Sequence, residues 1–281
     1  MILPYLISVS IPIIILLILY GLTSNCKENN HHIPYNNYNL RSVISYENEE
    51  SFKVINFEKK HNIICVFVCC HNNEDDYNFI KNNINNVDFF VINSCHYPNL
   101  YTGKIKAIVG EKNYITRMNI GWDTTAWKEF ILDNYNEMKD YNYVILANNS
   151  CRYDFKITNL IELAKKYQFF GLNESNELNP HYQSYFIIIR KDLFSSNDFV
   201  SYWKNMPKIN CRQDAINHHE LKFMKHFRDK GYSIGKYLKE FVQVYDINSY
   251  VNTPFKVDFV KKTALEKNGN KKIYEKQLIS I

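Results

Sequence analysis

No glycine stands in "VCCHNNEDD", residues 68–76, the segment that follows the first strand-like run of this 281-residue chain. A nucleotide-binding α/β enzyme of the methyltransferase kind would carry a glycine-rich phosphate turn there. No HExxH pattern occurs, and Cys211 has no second thiol near it, so a zinc site is not expected. No long basic block accompanies the net charge of +5, which argues against nucleic acid as a partner. Seven cysteines are too few for a disulfide scaffold at this length. Cys65, Cys69 and Cys70 lie in the apolar run "NIICVFVCCHN", and the two-residue period of a strand turns Cys70 away from the other two. They read as small buried hydrophobes. No internal repeat is visible.

What is present begins with residues 2–22, an uncharged and almost wholly apolar run. As a helix, about 20 such residues match the hydrocarbon thickness of a bilayer. No Lys or Arg precedes the run, which favours an uncleaved anchor over a cleaved signal peptide. The expectation is a single-pass membrane protein, with residues 1–22 as the transmembrane anchor and 23–58 as a polar, Asn-rich stem. A catalytic-sized domain would span 59–250, followed by a basic, solvated tail over 251–281. Flanking charge hardly orients the anchor. The sequon "NNS" at 148–150 falls in a candidate site where a glycan would be harmful, which leans toward the cytosolic side.

From His61 onward strand and helix patterns alternate, which predicts an α/β layered fold with a mostly parallel central sheet flanked by helices. "NIICVFVCC", "VDFFVIN", "KIKAIVG", "DYNYVILAN", "QFFGL" and "QSYFIIIR" read as strands. Helices are expected over 123–139 and about 155–167, at "DFVSYWKNM", and at "HHELKFMKHFRDKGY" with Gly231 as its stop.

Four polar clusters punctuate this pattern. "RMNIGWD" places Asn119, Gly121 and Asp123 on alternate positions ahead of a helix. Asp123 can cap that helix, and Gly121 admits a backbone shape or a close ligand approach closed to other residues. Capping leaves Arg117 and Asn119 unexplained, and such a loop could bind a base, a ribose or a phosphate. "VILANNSCR" ends a strand with Asn148, Asn149, Ser150 and Arg152, and turn propensity alone would also account for its asparagines. In "HYQSYF", His181, Gln183 and Tyr185 would share one strand face and Ser184 the other, suiting a sugar pocket. In "CRQDAINHHE", Asp214 and His218 are four apart and would share a helix face, with Glu220 beyond.

Taken in order, "NIGWDTTAW", "YNYVILANNS", "FFGLNES", "HYQSYF", "FVSYWKNM" and "HHE" ahead of a Gly-Tyr stop resemble the rhamnan synthesis protein F family over about residues 62–240. These are glycosyltransferase-like domains of polysaccharide assembly. The resemblance implies a GT-A-like fold, a nucleotide-diphosphate sugar as donor, and a glycan or glycolipid hydroxyl as acceptor. It assigns Asn119, Gly121, Asp123, Asn148, Asn149 and Ser150 to the donor and His181, Gln183 and Ser184 to the acceptor, with Glu220 matching the last motif. Beside it, the residues themselves offer Arg117 and Arg152 as phosphate partners on the donor side, and Asp214 or Glu220, with His218 behind, as the base. Asn149 stands where the family tends to carry Asp. A Mn or Mg ion is then held otherwise, or charge is offset by Arg117 or Arg152, or activity is lost and a carbohydrate-binding scaffold remains.

Overall fold

The computed structural model describes residues 58–95, 98–176, 180–239, 242–246, 249–250 and 257–267. The apolar run 2–22 and nearly all of the 23–58 stem lie outside them. Among the described residues no helix is long and apolar enough to cross a membrane.

The chain runs β1 (Ile63–Cys69), α1 (Glu74–Asn83), β2 (Asp88–Asn93), α2 (Leu100–Val109), β3 (Tyr114–Thr116), α3 (Trp122–Asp133), α4 (Tyr135–Met138) and β4 (Tyr143–Asn148). There follow β5 (Cys151–Tyr153), α5 (Ile157–Ala164), β6 (Phe169–Gly171), β7 (Glu174–Ser175), β8 (His181–Tyr182), β9 (Phe186–Arg190), α6 (Lys191–Phe194) and α7 (Asn197–Asn205). The last described elements are α8 (Arg212–Ala215), a π-helical turn (Ile216–Glu220), α9 (Leu221–Asp229), β10 (Ile234–Lys236), β11 (Phe259–Lys261) and α10 (Lys262–Lys267).

Seven strands form the main sheet in the order β10-β6-β9-β4-β1-β2-β3. β1 is parallel to both β2 and β4, β2 to β3, and β10 to β6; β9 runs antiparallel between β4 and β6. Alternation along β1 explains its unbroken apolar run. Cys65, Phe67 and Cys69 enter one core with Phe79 and Ile80 of α1, Ile105 of α2 and Leu160 of α5. Ile64, Val66 and Val68 enter the other, with Trp127 and Phe130 of α3, Trp203 of α7 and Phe223 of α9. Each fully buried side chain of this size contributes about 1.5–3 kcal/mol, so the sheet is held from both faces. The six cysteines among the described residues are unpaired by disulfides.

Topology fixes where a ligand can enter. From β1 the chain winds outward through β2 to β3, then returns to lay β4 on the other flank of β1. Loops leaving the carboxyl ends of β1 and β4 therefore part in opposite directions, and in open α/β sheets that is the place where ligands bind.

Several elements differ from expectation. "KIKAIVG" belongs to α2, not a strand. Asn99 caps that helix, accepting from Tyr101 N and Thr102 N, and Ile105 and Val109 share its inner face at four-residue spacing. The helix expected over 123–139 breaks at Asn134, whose side-chain amide takes Phe130 O at 2.9 Å. "HYQSYFIIIR" is two strands joined by a turn at 183–185, so His181, Gln183 and Tyr185 do not share one strand face. The segment expected as a solvated tail over 251–281 is also different across its described part. β11 pairs antiparallel with β5, and Phe259, Val260 and Ala264 are fully buried.

Candidate functional site

The helix start at α3 is built from an unusual backbone. Gly121 (φ 69°) and Trp122 (φ 55°) both lie in the left-handed region, which a tryptophan rarely occupies. A Cβ at residue 121 would collide with the Thr125 side chain, so only glycine fits. This turn gives the Asp123 carboxylate two different partners. Its Oδ1 accepts from Thr124 N at 2.9 Å inside the first turn, where the cap is Gly121 with no side-chain cap bond, so Asp123 is not the cap that the sequence suggests; Oδ2 accepts directly from Asn148 Nδ2 at the end of β4. Burial pushes the Asp123 carboxyl above its usual range, against the pull of the Asn148 hydrogen bond and the Lys261 charge. Arg117 braces the loop from behind. Its guanidinium is 2% exposed, donating to Ile120 O and to Glu129 Oε2, each at 3.0 Å. A phosphate partner would need that group at the surface, so the expected role of Arg117 does not fit its position. Asn119 stands exposed on the same loop.

At the end of β4, Asn148 joins both sides of the site. Its Oδ1 accepts from Ser150 N at 3.1 Å and from Ser150 Oγ at 2.6 Å, while its Nδ2 reaches Asp123. Ser150 Oγ in turn accepts from Lys261 Nζ at 3.0 Å. A continuous run of carboxylate, amide, hydroxyl and ammonium results. Asn149 turns the other way and ties β4 to the loop after β1. Its Oδ1 accepts from Cys70 N at 3.4 Å, and its Nδ2 donates to Asp76 Oδ2 at 3.2 Å. Asp76, only 1% exposed, also pairs with Lys262 Nζ at 2.9 Å. Arg152 forms an ion pair with Asp154 at 3.1 Å.

Glu220 completes the ring of charges. Burial raises its carboxyl; neighbouring His181, the Lys261 ammonium and the backbone N–H of Ser184 pull it down, and Asp123 pushes it up again. Residues from α3, β8, the π-helical turn and β11 thus share one electrostatic neighbourhood. The π-helical turn itself holds His218, His219 and Glu220, and such turns are frequent where a side chain must be re-aimed. His219 goes inward, 1% exposed, with Tyr202 Oη 3.0 Å from its Nδ1; burial drops its pKa to about 3. Gln183 is buried beside β8, with Oε1 lacking a hydrogen-bond partner among the described residues.

Two expected catalytic residues sit elsewhere. Asp214 Oδ2 accepts from Asn210 N at 2.9 Å and Cys211 N at 3.3 Å, so it caps α8. His218 lines a separate cleft of about 400 Å³ with Asp198, Tyr202 and His226. The π-helical turn breaks the four-residue spacing that would have placed the two on one face. Lys261, Lys262 and Asp76 were missed by sequence reasoning. The signal was the short apolar run Val257, Phe259 and Val260, which marks a strand just ahead of the two lysines.

A divalent ion is the usual partner of a diphosphate in such a site, and the donor set here does not suit one. Mg or Mn seeks several oxygens, carboxylates foremost. Both strand-end amide oxygens already accept protein hydrogen bonds, and the ammonium of Lys261 stands beside them. Among the described residues no group of three His, Cys, Asp or Glu could hold an ion.

Residues 89–270 match the family model described as rhamnan synthesis protein F. The uncharacterized protein y4gN of Sinorhizobium fredii (strain NBRC 101917 / NGR234) is 26% identical over 127 residues, 43% of this chain and 33% of that protein. The chain thus spans about a third of that curated relative's length. Solved structures with partial likeness include the WbbM bifunctional glycosyltransferase (12% identity, TM-score 0.34, 72% of this chain and 51% of that one). Another is GlyE of Streptococcus pneumoniae TIGR4 (11% identity, TM-score 0.38, 62% and 45%). A third is a glycosyltransferase involved in glycosylation of the major capsid of PBCV-1 (8% identity, TM-score 0.40, 74% and 98%).

Proposed function

The chain belongs to the rhamnan synthesis protein F family, and on that premise we propose that it transfers a sugar from a nucleotide-diphosphate donor to a hydroxyl of a glycan or glycolipid. One observation carries this reading: Asp123, Asn148, Ser150, Lys261, His181 and Glu220 gather from distant parts of the chain at the carboxyl edge of β4. Asn119, Gly121 and Asp123 take the nucleoside end of the donor, where Gly121, packed against Thr125, shapes the turn and the Asp123 carboxylate accepts from ribose hydroxyls. Asn148 and Ser150 position the diphosphate. His181 and Ser184 border the acceptor.

Glu220 is the base. In the step, the acceptor oxygen forms a bond to the anomeric carbon as its proton passes to the Glu220 carboxylate. The bond from that carbon to the phosphate oxygen breaks, and its electron pair leaves with the diphosphate. A carboxylate held above its ordinary range is better matched to taking a proton near neutrality. The apolar run 2–22 would tether this chemistry to a bilayer where a lipid-linked acceptor resides; alkaline carbonate extraction that released the full chain from membranes would remove that part of the proposal.

The test offers the full chain a panel of nucleotide sugars with mixed glycan acceptors. The wild type consumes one of them, and Glu220→Gln lowers turnover by about 10²- to 10⁴-fold while retaining donor binding. A second reading, a binding-only scaffold of the same fold, draws on the neutral Asn148–Asn149 pair. Donor binding without any turnover would favour it.

A further inference from the structure

We propose that Lys261 supplies the positive charge that the donor's diphosphate meets, so that the diphosphate is bound and released without a divalent ion. The inference rests on the transferase reading above and goes beyond it to the means of charge neutralisation.

Among the described residues four cations stand around the carboxyl ends of the strands, and three are committed to carboxylates. Arg117 pairs with Glu129, Arg152 with Asp154 and Lys262 with Asp76. Lys261 differs from these three. Its Nζ donates to Ser150 Oγ at 3.0 Å and otherwise lies over two aromatic rings, Tyr185 at 5.0 Å and Tyr245 at 5.8 Å from the centroids. Among the described residues no carboxylate lies within ion-pair distance of it. Two π faces and one hydroxyl hold an ammonium in place without neutralising it, and leave N–H groups to donate. Its charge is felt at both Asp123 and Glu220, which puts it between the donor and acceptor ends of the site.

The backbone fixes this position. Lys261 pairs with Cys151 across the β11–β5 ribbon, and the next residue's N–H bonds Ser150 O at 3.0 Å. The cation therefore stands on the rigid flank of the strand end where an ion would otherwise be sought, beside amide oxygens that protein donors already occupy. A leaving diphosphate oxygen gains charge as its bond to the anomeric carbon breaks, and a preorganised ammonium stabilises that charge as it develops.

The experiment is titration calorimetry on the full chain with uridine, guanosine and thymidine diphosphates and inorganic pyrophosphate, first in EDTA and then with Mg or Mn. One diphosphate is expected to bind in EDTA, with affinity within about twofold when metal is added. Lys261→Met is expected to weaken that diphosphate by about 10- to 100-fold, the range for a lost charged hydrogen bond, and to leave the parent nucleoside unchanged. Lys261→Arg should retain most of the affinity. Lys261→Gln, which keeps a donor for Ser150 Oγ, serves if the methionine variant fails to fold. Binding that requires the metal, or a Lys261→Met or Lys261→Gln variant that binds like wild type, overturns the role of Lys261 and leaves the transferase reading standing. A wild type that binds no nucleoside diphosphate under either condition overturns both.

Discussion

Replacing Lys262 with methionine isolates the contact that fastens the C-terminal segment to the first βα unit. Asp76 is 1% exposed and Lys262 18%, with 2.9 Å between Nζ and Oδ1. Removing one partner of a buried ion pair costs about 3–5 kcal/mol, because the remaining charge stays in a poor solvent. Here the cost is discounted, since Asp76 Oδ2 keeps hydrogen bonds from Asn149 Nδ2 at 3.2 Å and Asn73 N at 3.1 Å. A net loss of roughly 2–4 kcal/mol follows, worth about 5–15 °C in Tm for a domain of this size. The pH dependence has a definite sign. Burial holds the Asp76 carboxyl above its ordinary 3.8, and the Lys262 charge is the largest influence pulling it back. Without Lys262 the folded-state pKa climbs further above the unfolded value. The variant is then nearest to wild type at low pH, where Asp76 is protonated, and falls away as pH rises through the raised value. Urea denaturation at pH 4 and pH 7.5, with Asp76→Asn and the double variant completing the cycle, measures this. A deficit under about 1 kcal/mol at pH 7.5, or one that grows on acidification, would refute the reasoning.

Other perturbations follow from the same geometry. Asp123→Asn should leave Tm within a few degrees of wild type, because relief of a buried charge offsets the lost bond to Asn148 Nδ2, yet weaken nucleoside diphosphate by roughly tenfold or more. Since its folded pKa is raised, wild type should compare best with that variant below pH 4 and lose ground as pH climbs; a parallel pair of stability curves would count against it. Gly121→Ala meets both a left-handed φ of 69° and the Thr125 side chain, so a loss of roughly 2–4 kcal/mol is expected in chemical denaturation. For Glu220, the acid limb of a turnover profile should report a group above the ordinary 4.5, and Glu220→Gln should abolish that limb; an unchanged limb assigns it to another residue.

Much of the layered architecture was legible because a strand buried on both faces leaves an unbroken apolar signature, as in Ile63–Cys69. Asp123 and the Asn148–Ser150 turn were legible for a related reason: short polar side chains placed where a strand ends or a helix begins announce a crevice. The failures have physical causes. "KIKAIVG" carries β-branched residues, and the cap that decides for helix, Asn99, lies five residues upstream. Asp214 and His218 looked paired only under a 3.6-residue period, and the π-helical turn from Ile216 to Glu220 adds a residue that no periodicity reveals. Arg117 looked available to phosphate because its partner Glu129 lies on the next helix, a contact that only tertiary structure supplies. Lys261 was hidden by its company, one of six lysines between 261 and 276.

The joining of β11 to β5 has a temporal meaning. Lys262 meets Asp76 across 186 positions, and Lys261 meets Ser150 across 111. During synthesis the sheet from β1 to β10 can assemble while the site still lacks its final wall. Competence to hold a charged ligand arrives only once residues 257–262 have left the ribosome and threaded back along β5. A nascent or truncated polypeptide stopping before Val257 would lack Phe259, Val260 and Ala264 from its core together with both lysines of the site.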